Sequence, residues 1–175
     1  WTRALIRTVQ IRMALHGYET AVRFLKDEPW PTDLLSRVSL NLFYAHSLTT
    51  YAHAYSWEIH QREKVSSKDV VDLKAWTMDE VFANAQKACD EVWQIRDQLG
   101  NQSVSVLSEF INENTYPKEI RKTLRDAVSY LRVELLADTT GWRPDHSNEV
   151  YRLDLKGLLS SADKPDGAAL RNVSL

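Results

Sequence analysis

One stretch sets the architecture. From Thr32 or Asp33 to about Gln61, apolar residues fall on two helical stripes at once. Leu35, Val38, Leu42, Ala45, Ala52 and Ile59 mark the first, and Tyr44, Leu48, Tyr51 and Tyr55 the second. Thr32 or Asp33 can cap the start, and a helix over the whole stretch is about 45 Å long. A helix that is apolar on more than one face must be covered from several sides, which places it at the centre of a bundle. The rest of the chain suits that role. Five Gly and five Pro in 175 residues are too few for a turn-rich β-sandwich. A content of 43% hydrophobic and 26% charged residues excludes a disordered chain. No run approaches the length of apolar residues that a bilayer span needs.

The flanking helices follow from periodicity and capping. A first helix is expected from Thr2 to Lys26, with Leu5, Val9, Met13, His16 and Phe24 at helical spacing. Leu15, Tyr18, Val22 and Leu25 widen its apolar face, and Gly17 weakens it slightly. Pro29 ends it by pushing Glu28 out of helical backbone. After a polar connection over Arg62 to Lys68, Asp72 to Trp76 reads as a short tethered segment. Thr77-Met78-Asp79-Glu80 is a capping box, and Trp76 and Val81 hold the positions of a hydrophobic staple. Val81, Ala85, Ala88, Val92, Ile95 and Leu99 then step by fours and threes along a third helix, with Gly100-Asn101 expected as a left-handed cap.

Ser103 to Asn112 reads as a short helix. Pro117 or Thr123 opens the next, whose buried stripe is Leu124, Val128, Leu131 and Leu135, ending near Ala137. Gly141 to Pro144 is a turn, and a last helix runs from Glu149 to Ser160 with Tyr151, Leu155 and Leu158 inward. The expected fold is all-α: a bundle of four main helices with one or two short extra helices. It forms a single helical domain over 1–160, followed by a loop or flexible tail over 161–175.

Residues suited to chemistry are sparse. His46, His53 and His60 recur every seven residues. Neighbours in that row stand about 10.5 Å apart along a helix, too far to share a metal ion, so they read as a polar edge of the bundle. No metal ligands, catalytic residues or cofactor-binding residues are assigned. Cys89 is the only cysteine and lies beside Asp90 and Glu91, which would raise its pKa. No nucleophile elbow or phosphate-binding glycine loop occurs. A helical ribonuclease of the HEPN type would place a His shortly after an Arg on one helix. Arg12 to His16 is too close for that pattern, and Arg37 to His46 too far. The net charge is −2, and the clusters Arg3–Arg7–Arg12 and Arg121–Lys122–Arg125 read as solvated helix faces, so no nucleic-acid partner is expected.

Three stretches together resemble a family. They are Leu42-Phe43-Tyr44-Ala45 through Tyr55-Ser56-Trp57-Glu58-Ile59-His60-Gln61-Arg62, then Asp72-Leu73-Lys74-Ala75-Trp76-Thr77, then Thr123-Leu124-Arg125-Asp126-Ala127-Val128-Ser129-Tyr130-Leu131 leading to Glu134-Leu135-Leu136. Their order and separation are similar to the helical N-terminal region of very large bacterial alpha-2-macroglobulin-like proteins. The resemblance spans Leu42 to Leu155 and implies a longer parent of the protease-trap type. It also implies a bacterial cell envelope or periplasmic location. The start at Trp1, already within helical sequence, fits an excised part. The family's thioester pairs a Cys with a Gln three residues later; here that residue is Val92, so no functional residue carries over.

Three functions follow as expectations. The first is a non-catalytic helical scaffold or interaction domain of such a macroglobulin-like, protease-inhibiting protein. Its partner is then the rest of the parent chain or another protein. The second is a stand-alone helical protein–protein interaction module, suggested by Trp1, Trp30, Trp57 and Trp142, which no single core stripe absorbs. The third, a HEPN-type ribonuclease, requires several of His16, His46, His53 and His60 to converge with carboxylates in one cleft.

Overall fold

The computed structural model describes residues 1–65, 70–111 and 120–142. Seven α-helices and a 3-10 turn occupy them: α1 (Thr2–Ala14), α2 (Tyr18–Asp27), α3 (Leu34–Ala54), α4 (Ser56–His60), α5 (Met78–Trp93), α6 (Arg96–Leu99), the turn Val104–Leu107, and α7 (Leu124–Leu136). The fold is all-α. An isolated bridge between Ser103 and Thr123 is the sole β pairing among the described residues. The helix expected over Glu149 to Ser160, Pro117 and the tail over 161–175 lie outside the described residues.

α3 is the central helix. Every residue from Val38 to Leu48 is buried except His46, and Tyr51 and Ala52 continue the buried surface. Its start is fixed by Asp33, whose carboxylate accepts the Ser36 N–H at 2.9 Å. α3 packs chiefly on α5, with α1 and α2 covering a further side, while α7 packs on α5 and α6. The core sorts into two clusters that give the helix directions. Leu48, Tyr51 and Ala52 of α3 share one cluster with Met78, Val81 and Ala85 of α5 and Leu135 of α7. Val38 and Leu42 share the other with Val92, Leu99, Leu124 and Val128. α5 therefore runs antiparallel to α3 and α7, which are parallel to each other.

Among the described residues five helices are long rather than the four expected, because the first one divides. α1 ends in a Schellman turn: Gly17 N–H donates to Arg12 O (3.0 Å) and His16 N–H to Met13 O (2.9 Å), with His16 itself left-handed at φ 61°. Gly17 eases a close approach, since a Cβ there would lie a tight 3.2 Å from Arg12 O. The reversal leaves Leu15 exposed, against the expectation that it widens one continuous apolar face, and folds α2 back onto α1 and α3. α3 also stops early, at Tyr55 (φ −120°), and α4 resumes beyond it to bury Ile59. α5 breaks at Gln94–Ile95, yet α6 still delivers Leu99 to the core. Gly100 closes α6 in right-handed backbone (φ −63°), not the left-handed cap expected.

Two capping boxes set the starts of α5 and α7. Thr77 N–H donates to Glu80 Oε2 at 2.9 Å, and Thr123 N–H to Asp126 Oδ2 at 3.0 Å, each returned by the threonine hydroxyl oxygen. Arg62 ties α4 to the segment before α5. It donates to Leu73 O (2.6 Å), Trp76 O (3.3 Å), Tyr51 Oη (3.1 Å) and Glu58 Oε1 (2.6 Å).

Candidate functional site

Both α3 and α7 rest on α5 without packing extensively on each other, and this leaves a groove of 780 Å³ between them. One wall is the α3 row Ser39, Leu42, Phe43, His46, Thr50 and His53. The other is the α7 row Ala127, Tyr130, Leu131, Glu134 and Leu135, continued by Asp138. Cys89 of α5 lies at the floor, and Leu107, Phe110 and Ile111 close one end. The α3 row follows the spacing of one helix face for about four turns, or about 21 Å, and the α7 row for about three turns.

The two ends differ in charge. Arg121 and Lys122 stand where α7 begins. Arg121 lies over the Tyr130 ring, 5.0 Å from its centroid. Asp126, close by, is turned back onto Thr123; its side-chain bond from that hydroxyl holds its pKa below the ordinary value, against the opposing effect of burial. At the far end, His53 Nε2 meets Asp138 Oδ2 at 2.6 Å. Burial acts to raise the Asp138 pKa, but the Thr140 N–H and His53 outweigh it and hold the carboxylate below its usual range. His46 reaches solvent, but the groove walls displace much of the water around it. That desolvation lowers its pKa, with Glu134 opposing. An uncharged His46 at neutral pH follows.

The groove's hydroxyl and thiol groups are poorly placed as nucleophiles. Ser39 Oγ donates to Leu35 O (2.7 Å), Thr50 Oγ1 to His46 O (2.7 Å) and Thr49 Oγ1 to the same carbonyl (3.0 Å). Ser103 and Ser105 bond each other at 2.8 Å. Burial, with Asp90 adding to it, pushes the Cys89 thiol up to about 11. Among the described residues no group of three His, Cys, Asp or Glu side chains is placed to hold a metal ion.

The histidine row divides. His46 and His53 share the groove with Glu134 and Asp138, but the break at Tyr55 removes His60, whose Nδ1 bonds Ser56 O at 2.7 Å. His16 sits in the turn between α1 and α2. The convergence that a ribonuclease of the HEPN type requires is thus limited to two of the four. Glu134 and Asp138 carried no assignment in the sequence. Their signal was the four-residue step Ala127, Leu131, Leu135 running beside Tyr130, Glu134 and Asp138. The tryptophans also divide: Trp30 packs on the core and donates to Leu25 O (2.7 Å), whereas Trp1 and Trp57 are exposed.

Comparison of the chain with protein-family models, with curated proteins and with solved structures finds no match.

Proposed function

We propose that this chain is a non-catalytic helical interaction module, and that the groove between α3 and α7 is its binding surface for protein. The observation that carries this reading is the groove's construction. Its lining is largely apolar, it runs for about three to four turns, and the His53–Asp138 and Thr123–Asp126 pairs are engaged in local bonds rather than set against a reacting centre. A groove lined along two helix faces suits the apolar side chains of one face of a partner helix.

The partner is either the rest of a longer parent chain or a separate protein. Kinship with macroglobulin-like protease traps rests on the three sequence stretches alone, which fall on α3–α4, the segment opening α5, and α7. The full reading frame tests that kinship: macroglobulin-type β-domains downstream support it, and a stop codon just after Leu175 sinks it. Hydrogen exchange tests the groove. With the partner or parent chain present, amides of Ser39–His53 and Asp126–Asp138 should slow together. Unchanged exchange in both walls would remove the groove as the binding surface.

A further inference from the structure

We infer that the groove between α3 and α7 is the seat of the chain's own residues 149–160, so that an outside partner gains it by displacing them. The displacement rests on the groove reading above; the seating rests on where the described chain leaves the bundle. Past α7, Thr140 N–H donates to Asp138 Oδ1 (2.9 Å) and Trp142 N–H to Thr139 O (3.0 Å), which turns the chain. Gly141 lands against α5: a Cβ there would lie 2.9 Å from Phe82 and 3.5 Å from Met78. Met78, Phe82, Ala85 and Cys89 fall at i, i+4, i+7 and i+11, on one face of α5. Cys89 floors the groove. The chain therefore departs over the same face of α5 that forms the groove floor, at the end where α3 and α7 both stop.

Pattern and length suit the segment to the groove. Residues 149–160 carry Tyr151, Leu155 and Leu158 at i, i+4 and i+7. Wound as a helix, they are about 18 Å long, between the three turns of the α7 wall and the four of the α3 wall. A helix that short gains little by itself and is held by burying its apolar stripe. The groove offers Leu42, Phe43, Leu131 and Leu135, whereas the opposite side of α3 is already filled. Residues 143–148 span up to about 20 Å, and a link of that length joins antiparallel neighbours. The segment then runs against the direction of α3 and α7. The seven-residue step from Tyr151 to Leu158 matches that from Thr50 back to Phe43, and from Glu134 back to Ala127. This seating sets Tyr151 beside Thr50 and Leu158 beside Ala127.

The test is disulfide capture in the full chain, with Cys89→Ser to remove the native thiol. The matched pairs are Thr50→Cys with Tyr151→Cys, and Ala127→Cys with Leu158→Cys. The swapped pairs are Thr50→Cys with Leu158→Cys, and Ala127→Cys with Tyr151→Cys. Swapped positions stand about 10.5 Å apart along the groove, beyond disulfide reach. Each variant is first checked by circular dichroism for an unchanged helix signal. Both matched pairs should close within one chain, at least about tenfold faster than the swapped ones. A second measurement introduces no cysteine. In the full chain carrying Leu155→Asp and Leu158→Asp, amides of Ser39–His53 and Asp126–Asp138 should exchange at least about threefold faster, with those of α1 unchanged. Disulfide-linked dimers would assign the groove to a second copy and overturn the inference. Swapped pairs as fast as matched ones, no disulfide in any pair, or unchanged exchange in the walls would also overturn it, and each leaves the groove reading to its own test. Matched disulfides in a chain whose walls no partner slows would keep residues 149–160 in the groove and remove the groove reading.

Discussion

The two sides of α3 are finished differently. Toward α1, α2 and α5 the helix is sealed: Leu48, Tyr51 and Ala52 are buried among Val9, Ala21, Val22, Leu25, Val81 and Ala85. Toward α7 it faces a groove, and a His53–Asp138 bond closes only the far end. Burial of apolar surface is non-directional and roughly additive, so the sealed side fixes the fold. The open side has surplus apolar surface and polar ends, and is held at its width by α5 rather than by its own contacts. A single helix thus serves as scaffold on one side and as surface on the other.

The largest test of this contrast is a pair of truncations. Leu48→Ala removes a fully buried side chain and should cost about 2–5 kcal/mol in a denaturant titration. Leu131→Ala, on the groove wall and only partly buried, should cost less than half as much. Equal costs would mean that the groove wall is as sealed as the core. Arg62→Met comes next, at about 2–3 kcal/mol, because the Leu73 and Trp76 carbonyls and the Tyr51 hydroxyl lose a charged donor. A loss confined to within experimental error would show that the sealed side does not depend on that link.

The capping boxes separate the two sides more finely. Thr77→Ala and Thr123→Ala should each cost about 1 kcal/mol. Their hydrogen-exchange footprints should differ: the first loosens α5 together with α3, and the second loosens α7 alone. Acid acts on both. Asp33, Glu80, Asp126 and Asp138 are all held below their ordinary pKa values, the first two chiefly by backbone N–H donors at Ser36 and Thr77. A depressed carboxylate stabilises the fold above its unfolded pKa, and that contribution is lost as pH falls through the folded value. Midpoints measured across pH should therefore drop below about pH 4 and stay level between pH 5 and 7 as far as these groups are concerned. The smallest effect belongs to His53→Gln. It should change global stability by less than about 1 kcal/mol, since the imidazole is half exposed, while quickening amide exchange at Asp138–Thr140.

Local signals explain which parts of this structure were legible in the sequence. Thr77 with Glu80 was readable outright, and Asp33 and Thr123 each as one of two candidates, because a cap is decided by side chains within three residues of each other. α3 as the central helix was readable from its doubled stripe. The division of the first helix was not, because the left-handed residue is His16 rather than glycine, and Gly17 beside it serves a close approach to Arg12. Gly141 is similar: a Cβ there would lie 2.9 Å from Phe82, a requirement set by a residue far away in sequence. The groove was the least legible feature. It arises from α3 and α7 being held apart on α5, and spacing between helices leaves no mark in either helix's own periodicity. Only the four-residue row from Tyr130 to Asp138 hinted at it.

Cys89 gives the groove a built-in reporter. It is the single cysteine of the chain, it lies at the groove floor, and its thiol stays protonated at neutral pH. A maleimide or disulfide reagent can therefore label the molecule at one place only, and its rate measures how often the walls part. Occupancy of the groove becomes a change in one chemical rate constant, readable by mass without tag, dye or mutation.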